Sequence, residues 1–357
     1  MDGEECMHYK LFETARLGPL HLKNRTVRSA TNEHLSTLDG QITPAWVQVQ
    51  RELAEREVGL IITGHMTVDR SQRANEGQVV LDRRIDHSLL RQAAEEVHRA
   101  GGRIVAQISH SGLKGMERVN GCRPKGPDDF TEEELDQLVE QFIDGARICQ
   151  AAGLDGVQVH HAHGYLLSNF LNPQENHRTD SYGGYLENRF RLPARILAGV
   201  RAACGPEFAL LVKVDSNGCG DLRALLRLCQ RAGVDGIEIS GLDFATRAGE
   251  KKPFFLHEIM EAREGVEVPL IPVGGVFSRK TAEQVLEAGF PFVSFSRSLI
   301  CQPDFISRMK ENPEAESRCF ACNGCYKIYR QRPVRCVQHT QPLKQLEIVF
   351  GPYHQKD

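Results

Sequence analysis

One phrase recurs along this chain, as "HRAGGRIVAQIS", "QAAGLDGVQVH", "QRAGVDGIEIS" and "LEAGFPFVSFS". Each time a helix-like stretch closes on a glycine and runs into a short apolar segment. Glycine there suits the left-handed residue that ends a helix. The segment after it is rich in Val, Ile or Phe, as a strand covered on both faces should be. Helix, glycine and buried strand in repetition imply a parallel sheet. Eight strands are expected, at 26–30, 59–63, 103–108, 156–160, 209–214, 236–240, 270–273 and 292–295. Helical patterns separate most of them. Eight such units fit an α/β (β/α)8 TIM barrel better than an open sheet. A doubly wound sheet would carry Gly-x-Gly-x-x-Gly after its first strand. That fingerprint is missing here.

The helix ahead of the fourth strand, "TEEELDQLVEQFIDGARICQAAG", opens with its own start signal. Thr131 is an N-cap and Glu134, three residues on, completes a capping box. Leu135, Leu138, Val139, Phe142 and Ala146 then make one apolar face.

Charge narrows the function. Lys plus Arg is 44 and Asp plus Glu is 47, a net charge of −3. Broad nucleic-acid binding needs a basic face, so it is not expected. The start, "MDGEECMHYKLF", is acidic and unlike a signal peptide, and no run approaches a membrane span of roughly 20 apolar residues. A cytoplasmic protein that contacts neither membrane nor nucleic acid is expected. Whether it forms a homo-oligomer stays open.

The barrel reading locates a site. Chemistry sits at the C-terminal ends of the strands, and phosphate usually binds after strands seven and eight. Strand seven runs into "VGGVFSRKTAEQVL", where Gly274 and Gly275 allow close backbone approach and a helix begins near Ser278. Strand eight ends in "FSRSLI", which brings Ser296 and Arg297 to the same mouth. The glycines could serve only as tight turns, but Arg297 adds a bidentate anion partner.

Eleven cysteines are many for a reducing compartment. Cys6, Cys122, Cys149, Cys204, Cys219, Cys229 and Cys301 are scattered and read as buried free thiols. Cys319, Cys322, Cys325 and Cys336 cluster in "CFACNGCYKIYRQRPVRC". Four thiols at that spacing read as a metal site rather than a disulfide framework. A barrel over 1–312 and a cysteine-bearing segment over 313–357 are the expected divisions.

The fourth strand ends unusually. "DGVQVH" runs into "HAHGYLLSNFLNPQENHRTDSYGGYLENR", so a buried strand terminates in three histidines and a tyrosine. The stretch closely resembles the old yellow enzyme family of flavin-dependent oxidoreductases, in the order His-x-x-His-Gly-Tyr, then the Asp-x-Tyr-Gly-Gly and Glu-Asn-Arg motifs. The resemblance extends through "LKNRTVRSAT", "GLIITG", "AQISHSG", "PVGGV" and the cysteine cluster, and so covers essentially the whole chain. The cysteines match the branch that includes 2,4-dienoyl-CoA reductase and trimethylamine dehydrogenase.

The resemblance implies an FMN at the barrel mouth and reduction of activated C=C bonds with electrons from NAD(P)H. Ala30, Thr31 and Asn32 match the end of strand one beside the flavin ring. Gln107 matches the glutamine that hydrogen-bonds the flavin pyrimidine. Lys213 stands where many members carry arginine near flavin N1, and a cation there stabilises the anionic reduced ring. Gly274, Gly275, Ser296 and Arg297 match the phosphate grip. His160 and His163 would aim donors at a substrate carbonyl oxygen. Tyr165 would supply a proton to the α-carbon. Alternation should turn His161 away, and Arg178, Asp180, Tyr182, Glu187, Asn188 and Arg189 would scaffold the long loop. The four clustered cysteines would hold a [4Fe–4S] cluster, with a structural zinc as the alternative for the same thiolates.

Departures accompany the resemblance. With the last residue at Asp357, electrons are expected from diffusible NAD(P)H or from a carrier acting through the cluster. The loop "GLDFATRAGEKKPFF" lacks the histidine of dienoyl-CoA reductases, and "RSATNEH" has no cysteine for a covalent flavin bond. The expected function is reduction of a small α,β-unsaturated carbonyl compound. The alternatives are amine oxidation on the same scaffold and a redox-sensing iron–sulfur flavoprotein.

Overall fold

The computed structural model describes residues 10–328 and 333–339. Eight parallel strands form its centre: β1 Thr26–Arg28, β2 Leu60–Ile62, β3 Arg103–Ser109, β4 Gly156–His161, β5 Ala209–Asp215, β6 Gly236–Ser240, β7 Leu270–Pro272 and β8 Val293–Phe295. They pair in the order β7-β6-β5-β4-β3-β2-β1-β8. A parallel bridge between Val273 and Ser294 joins the two ends and closes the barrel. Between the strands, in order, run α1 Pro44–Glu55, α2 His87–Arg99, α3 Glu132–Ala151, α4 Arg191–Cys204, α5 Leu222–Arg231, α6 Leu256–Ala262 and α7 Arg279–Glu287, and α8 Phe305–Glu311 follows β8. This is the expected (β/α)8 barrel. Every expected strand lies within a few residues of its place.

Local chemistry explains the joins. Gly101, Gly153, Gly233 and Gly289 close α2, α3, α5 and α7, and all have positive φ, between 73° and 88°. A side chain there would meet the steric cost of the left-handed region. Thr131 Oγ1 accepts from the Glu134 amide at 3.2 Å, and the Glu134 carboxylate accepts from the Thr131 amide at 3.0 Å. Behind that cap, Phe142 is fully buried, a burial worth about 3 kcal/mol relative to exposure.

The interior is layered. At the bottom, an N-terminal hairpin of Ala15–Leu17 and Leu20–Leu22 plugs the barrel. Its Leu17, Leu20 and Leu22 join Val27, Leu60, Ile62, Val105, Leu211, Ile271 and Phe292 in one apolar cluster. Above it the lining turns polar, with Gln107, Gln158, Lys213, Glu238 and Ser294 all buried. That polar layer is the floor of the pocket described next. Among the described residues, no helix is long and apolar enough to cross a membrane.

Candidate active site

At the C-terminal mouth lies a pocket of about 1120 Å³, part of it open to solvent. Three residues at the end of β4 and in its loop form one wall. His160, the last residue but one of the strand, faces inward, and His161, one step on, faces the other way and packs on Phe190 at 6.4 Å between ring centroids. The chain then turns through His163 and Gly164, at φ 62° and 68°. A left-handed non-glycine residue costs energy and persists only where its surroundings hold it. Asp215, at the end of β5, does the holding: it accepts from the His163 amide at 2.7 Å and from Ser168 Oγ at 2.9 Å. Burial lifts the Asp215 pKa to about 7. Tyr165 follows and precedes the short helix Leu166–Leu171.

The turn gathers the rings. His160 lies 4.9 Å from the Tyr165 ring and 5.4 Å from that of His163. His163 Nε2 is 2.9 Å from Ser240 Oγ. Burial pushes both imidazoles well below their ordinary pKa, so they are neutral and each carries one N–H. The long loop beyond is held by its own polar residues. Arg178 donates to the Pro127 carbonyl at 2.8 Å and the Phe130 carbonyl at 2.6 Å. Arg189 donates to the Gly184 and Cys219 carbonyls at 3.0 and 3.2 Å.

The floor is a buried polar chain. Gln107 Nε2 donates to Gln158 Oε1 at 2.8 Å, and Gln158 Nε2 to Glu238 Oε2 at 3.2 Å. Lys213 Nζ pairs with Glu238 at 3.1 Å and donates to Ser29 Oγ at 2.8 Å. Gln107 thus spends one of its two side-chain N–H groups on Gln158, and its carbonyl oxygen can accept from a ligand N–H. Ala30, Thr31 and Asn32 line the rim beside β1.

The four residues assigned to phosphate separate. Ser296 lines the pocket; Gly274, Gly275 and Arg297 do not. Both glycines are left-handed, at φ 117° and 77°. A Cβ on Gly275 would come within 1.7 Å of the Lys252 carbonyl oxygen, and one on Gly274 within 2.5 Å of the Phe254 ring. Close backbone approach does govern these positions, and the approaching chain is the protein's own. Arg297 turns to the cysteine segment, donating to the Ala321 carbonyl at 3.2 Å and to Asn323 Oδ1.

Cys319, Cys322, Cys325 and Cys336 line a second cavity of about 300 Å³. Ala321 and Asn323, inside the motif, have positive φ. Ile300 and Cys325 face both cavities, so the cysteine segment roofs the larger one. Among the described residues no three His, Cys, Asp or Glu side chains are grouped to hold a metal ion. The thiols border one cavity and are the donor type a thiolate-held cluster uses, but they are not drawn together around a common point. Cys301, scattered from the motif in sequence, lies in this cavity too. A hydrogen bond from the Cys301 thiol holds the Cys319 pKa below its ordinary value.

Sequence reasoning passed over His65, Lys114, Phe244 and Tyr326, all of which line the main pocket. His65 was the one with a signal. It follows "LIITG", three residues past the end of β2, in a loop at the same barrel mouth as His160.

Comparison with known proteins agrees with this architecture. Residues 10–218 match the model of the NADH:flavin oxidoreductase / NADH oxidase family. The chain is 29% identical to a metal reductase of Desulforamulus reducens, over 97% of this chain and 56% of that protein. It therefore spans little more than half that relative's length. It is 30% identical to an NADPH dehydrogenase of Halalkalibacterium halodurans, over 79% of this chain and 88% of that one. The old yellow enzyme homologue of Zymomonas mobilis superposes with a TM-score of 0.76 at 24% identity, covering 90% of this chain and 99% of that one. At that identity the likeness speaks for the fold.

Proposed function

Because the chain belongs to the NADH:flavin oxidoreductase / NADH oxidase family, we propose that it is an FMN-dependent ene-reductase acting on α,β-unsaturated carbonyl compounds. One observation carries the reading: His160, His163 and Tyr165 share a wall of the pocket whose floor presents Gln107 and Lys213. FMN would be held by Ala30, Thr31, Asn32, Gln107, Lys213 and Ser296. When bound, it supplies hydride taken from NAD(P)H.

The residues of this chain do the rest. His160 and His163 offer neutral N–H groups to the carbonyl oxygen, where negative charge develops as hydride arrives at the β-carbon. Tyr165 gives the proton to the α-carbon. A cationic amine suits the pocket less well, because it would want an aromatic cage, whereas His160, His163 and Tyr165 present hydrogen-bonding groups to the pocket. Cys319, Cys322, Cys325 and Cys336 would carry a [4Fe–4S] cluster, with zinc as the other occupant such thiolates accept.

The test is direct. Anaerobically purified protein, precipitated with acid, releases a yellow supernatant whose mass is that of FMN. NAD(P)H bleaches the protein, and a simple enone restores its colour. Flavin-free protein after reconstitution overturns the reading. Bleaching without reoxidation by any enone removes the ene-reductase and favours a redox sensor.

A further inference from the structure

We propose that His65 is a positioning residue for Tyr165, locked by Gln78 in the tautomer that donates a hydrogen bond to the phenolic oxygen. The inference rests on the reading of Tyr165 as proton donor and extends it.

The lock is read atom by atom. The backbone N–H of Ala74 donates to Gln78 Oε1 at 2.7 Å. An amide nitrogen in that place would face another donor, so the Gln78 orientation is settled. Gln78 Nε2 then lies 2.7 Å from His65 Nδ1 and donates to it. Ser109 Oγ, 3.5 Å from the same nitrogen, spends its proton on the Met66 carbonyl at 3.2 Å. Burial draws the His65 pKa down to about 3, so the ring is neutral and carries one proton. With Nδ1 accepting, that proton is on Nε2. Nε2 lies 3.2 Å from Tyr165 Oη. His65 therefore donates, and the bond occupies a lone pair of the phenol rather than its proton.

The consequence is chemical. The proposed step breaks the Tyr165 O–H bond and forms a C–H bond at the α-carbon. The electron pair for the new bond is the one that hydride addition leaves on the enolate. The O–H pair stays on the phenolic oxygen, and water later returns the proton. A donor aimed at that oxygen stabilises the phenolate as it forms and strengthens the acid. His65, Ala74 and Gln78 all belong to the β2 loop, whereas Tyr165 belongs to the β4 loop. The bond therefore also ties two walls of the pocket together. Among the described residues, His160 from β4 and Lys114, whose Nζ lies 5.6 Å from the phenol ring centroid, also face Tyr165. His34 and Lys114 are the charges that act on His65.

The test follows the titration of Tyr165 itself, by carbon NMR of holoprotein labelled at the tyrosine ζ-carbon, with Tyr165→Phe assigning the resonance. His65→Phe should raise the Tyr165 midpoint by about one to two pH units, the size of one hydrogen bond to a charged oxygen. His65→Gln, which can present an N–H from a similar place, should restore most of it. Gln78→Glu accepts from Nδ1 and reverses the tautomer, so it should shift the midpoint upward as well. Reoxidation by an enone should slow about threefold to tenfold in His65→Phe, with no further loss when that change is added to Tyr165→Phe. An unchanged midpoint in a folded His65→Phe or Gln78→Glu protein overturns the proposal. The titration needs no substrate, so it stands apart from the ene-reductase reading. That reading fails separately, if Tyr165→Phe alone leaves reoxidation at the wild-type rate.

Discussion

Lys213 Nζ lies 3.1 Å from Glu238 Oε2, and both side chains are buried in the barrel beneath the pocket, 3% and 0% exposed. Adjacent parallel strands set the pair opposite each other, since Lys213 and Glu238 are in register between β5 and β6. A buried pair of this kind is destabilised far more by losing one partner than by losing both.

Lys213→Met leaves Glu238 buried and unpaired, so stability should fall by about 3–5 kcal/mol. Glu238→Gln leaves the lysine charge uncompensated beside the pocket. In FMN-loaded protein, that change should raise the flavin potential, because a cation favours the anionic reduced ring. Denaturant melts and a dye-linked redox titration check the two outcomes. A lower potential in Glu238→Gln would mean that the pair does not act on the flavin.

The cysteine segment can be dissected by substitution. Anaerobic protein should contain about four iron atoms and four sulfides per chain. Cys319→Ser should lose most of both, whereas Cys301→Ser should keep them, because Cys301 neighbours the proposed ligand set without belonging to it. Arg297→Met should loosen the segment, since Arg297 donates to the Ala321 carbonyl and to Asn323. Iron and sulfide assays decide. One zinc per chain and no sulfide replaces the cluster.

Asp215 makes stability depend on pH. Its folded pKa of about 7 lies above the ordinary carboxyl value of 3.8. The folded state therefore holds a proton that the unfolded chain gives up. Stability from this group is complete below about pH 4 and is lost as pH rises through 7. Asp215→Asn keeps an oxygen for the His163 amide and Ser168. It should flatten the fall in stability between pH 4 and 7, as urea melts at several pH values would reveal. An unaltered slope would place the dependence elsewhere.

Much of this architecture is legible in the amino-acid order alone. The glycines that close α2, α3, α5 and α7 mark where each helix stops, because few other residues tolerate the left-handed turn. The buried strands announce themselves as Val and Ile runs, and His160, His163 and Tyr165 stand out because a strand end is a poor place to bury three polar rings by chance. What stays hidden depends on closure of the barrel. Glu238 becomes the partner of Lys213 only through the register of two strands. His65 becomes the neighbour of Tyr165 only when the β2 and β4 loops meet over the mouth. Cys301 joins the other thiols only after the chain returns from α8. The hairpin of Leu17, Leu20 and Leu22 is too short for periodicity to register. Arg297 reads as an anion ligand by residue type, whereas the fold engages it with the Ala321 carbonyl.

The central claim concerns Tyr165, and two half-reactions timed separately by stopped flow test it. Tyr165→Phe removes a hydroxyl and keeps the ring that packs between His65 and His160. FMN should stay bound, and its reduction by NAD(P)H should be nearly unchanged, because that step takes no proton from Tyr165. Reoxidation by an enone should slow by roughly a hundredfold or more, the scale expected for loss of a positioned general acid. Wild-type reoxidation with several enones in the Tyr165→Phe protein would contradict the account and hand the proton to another donor.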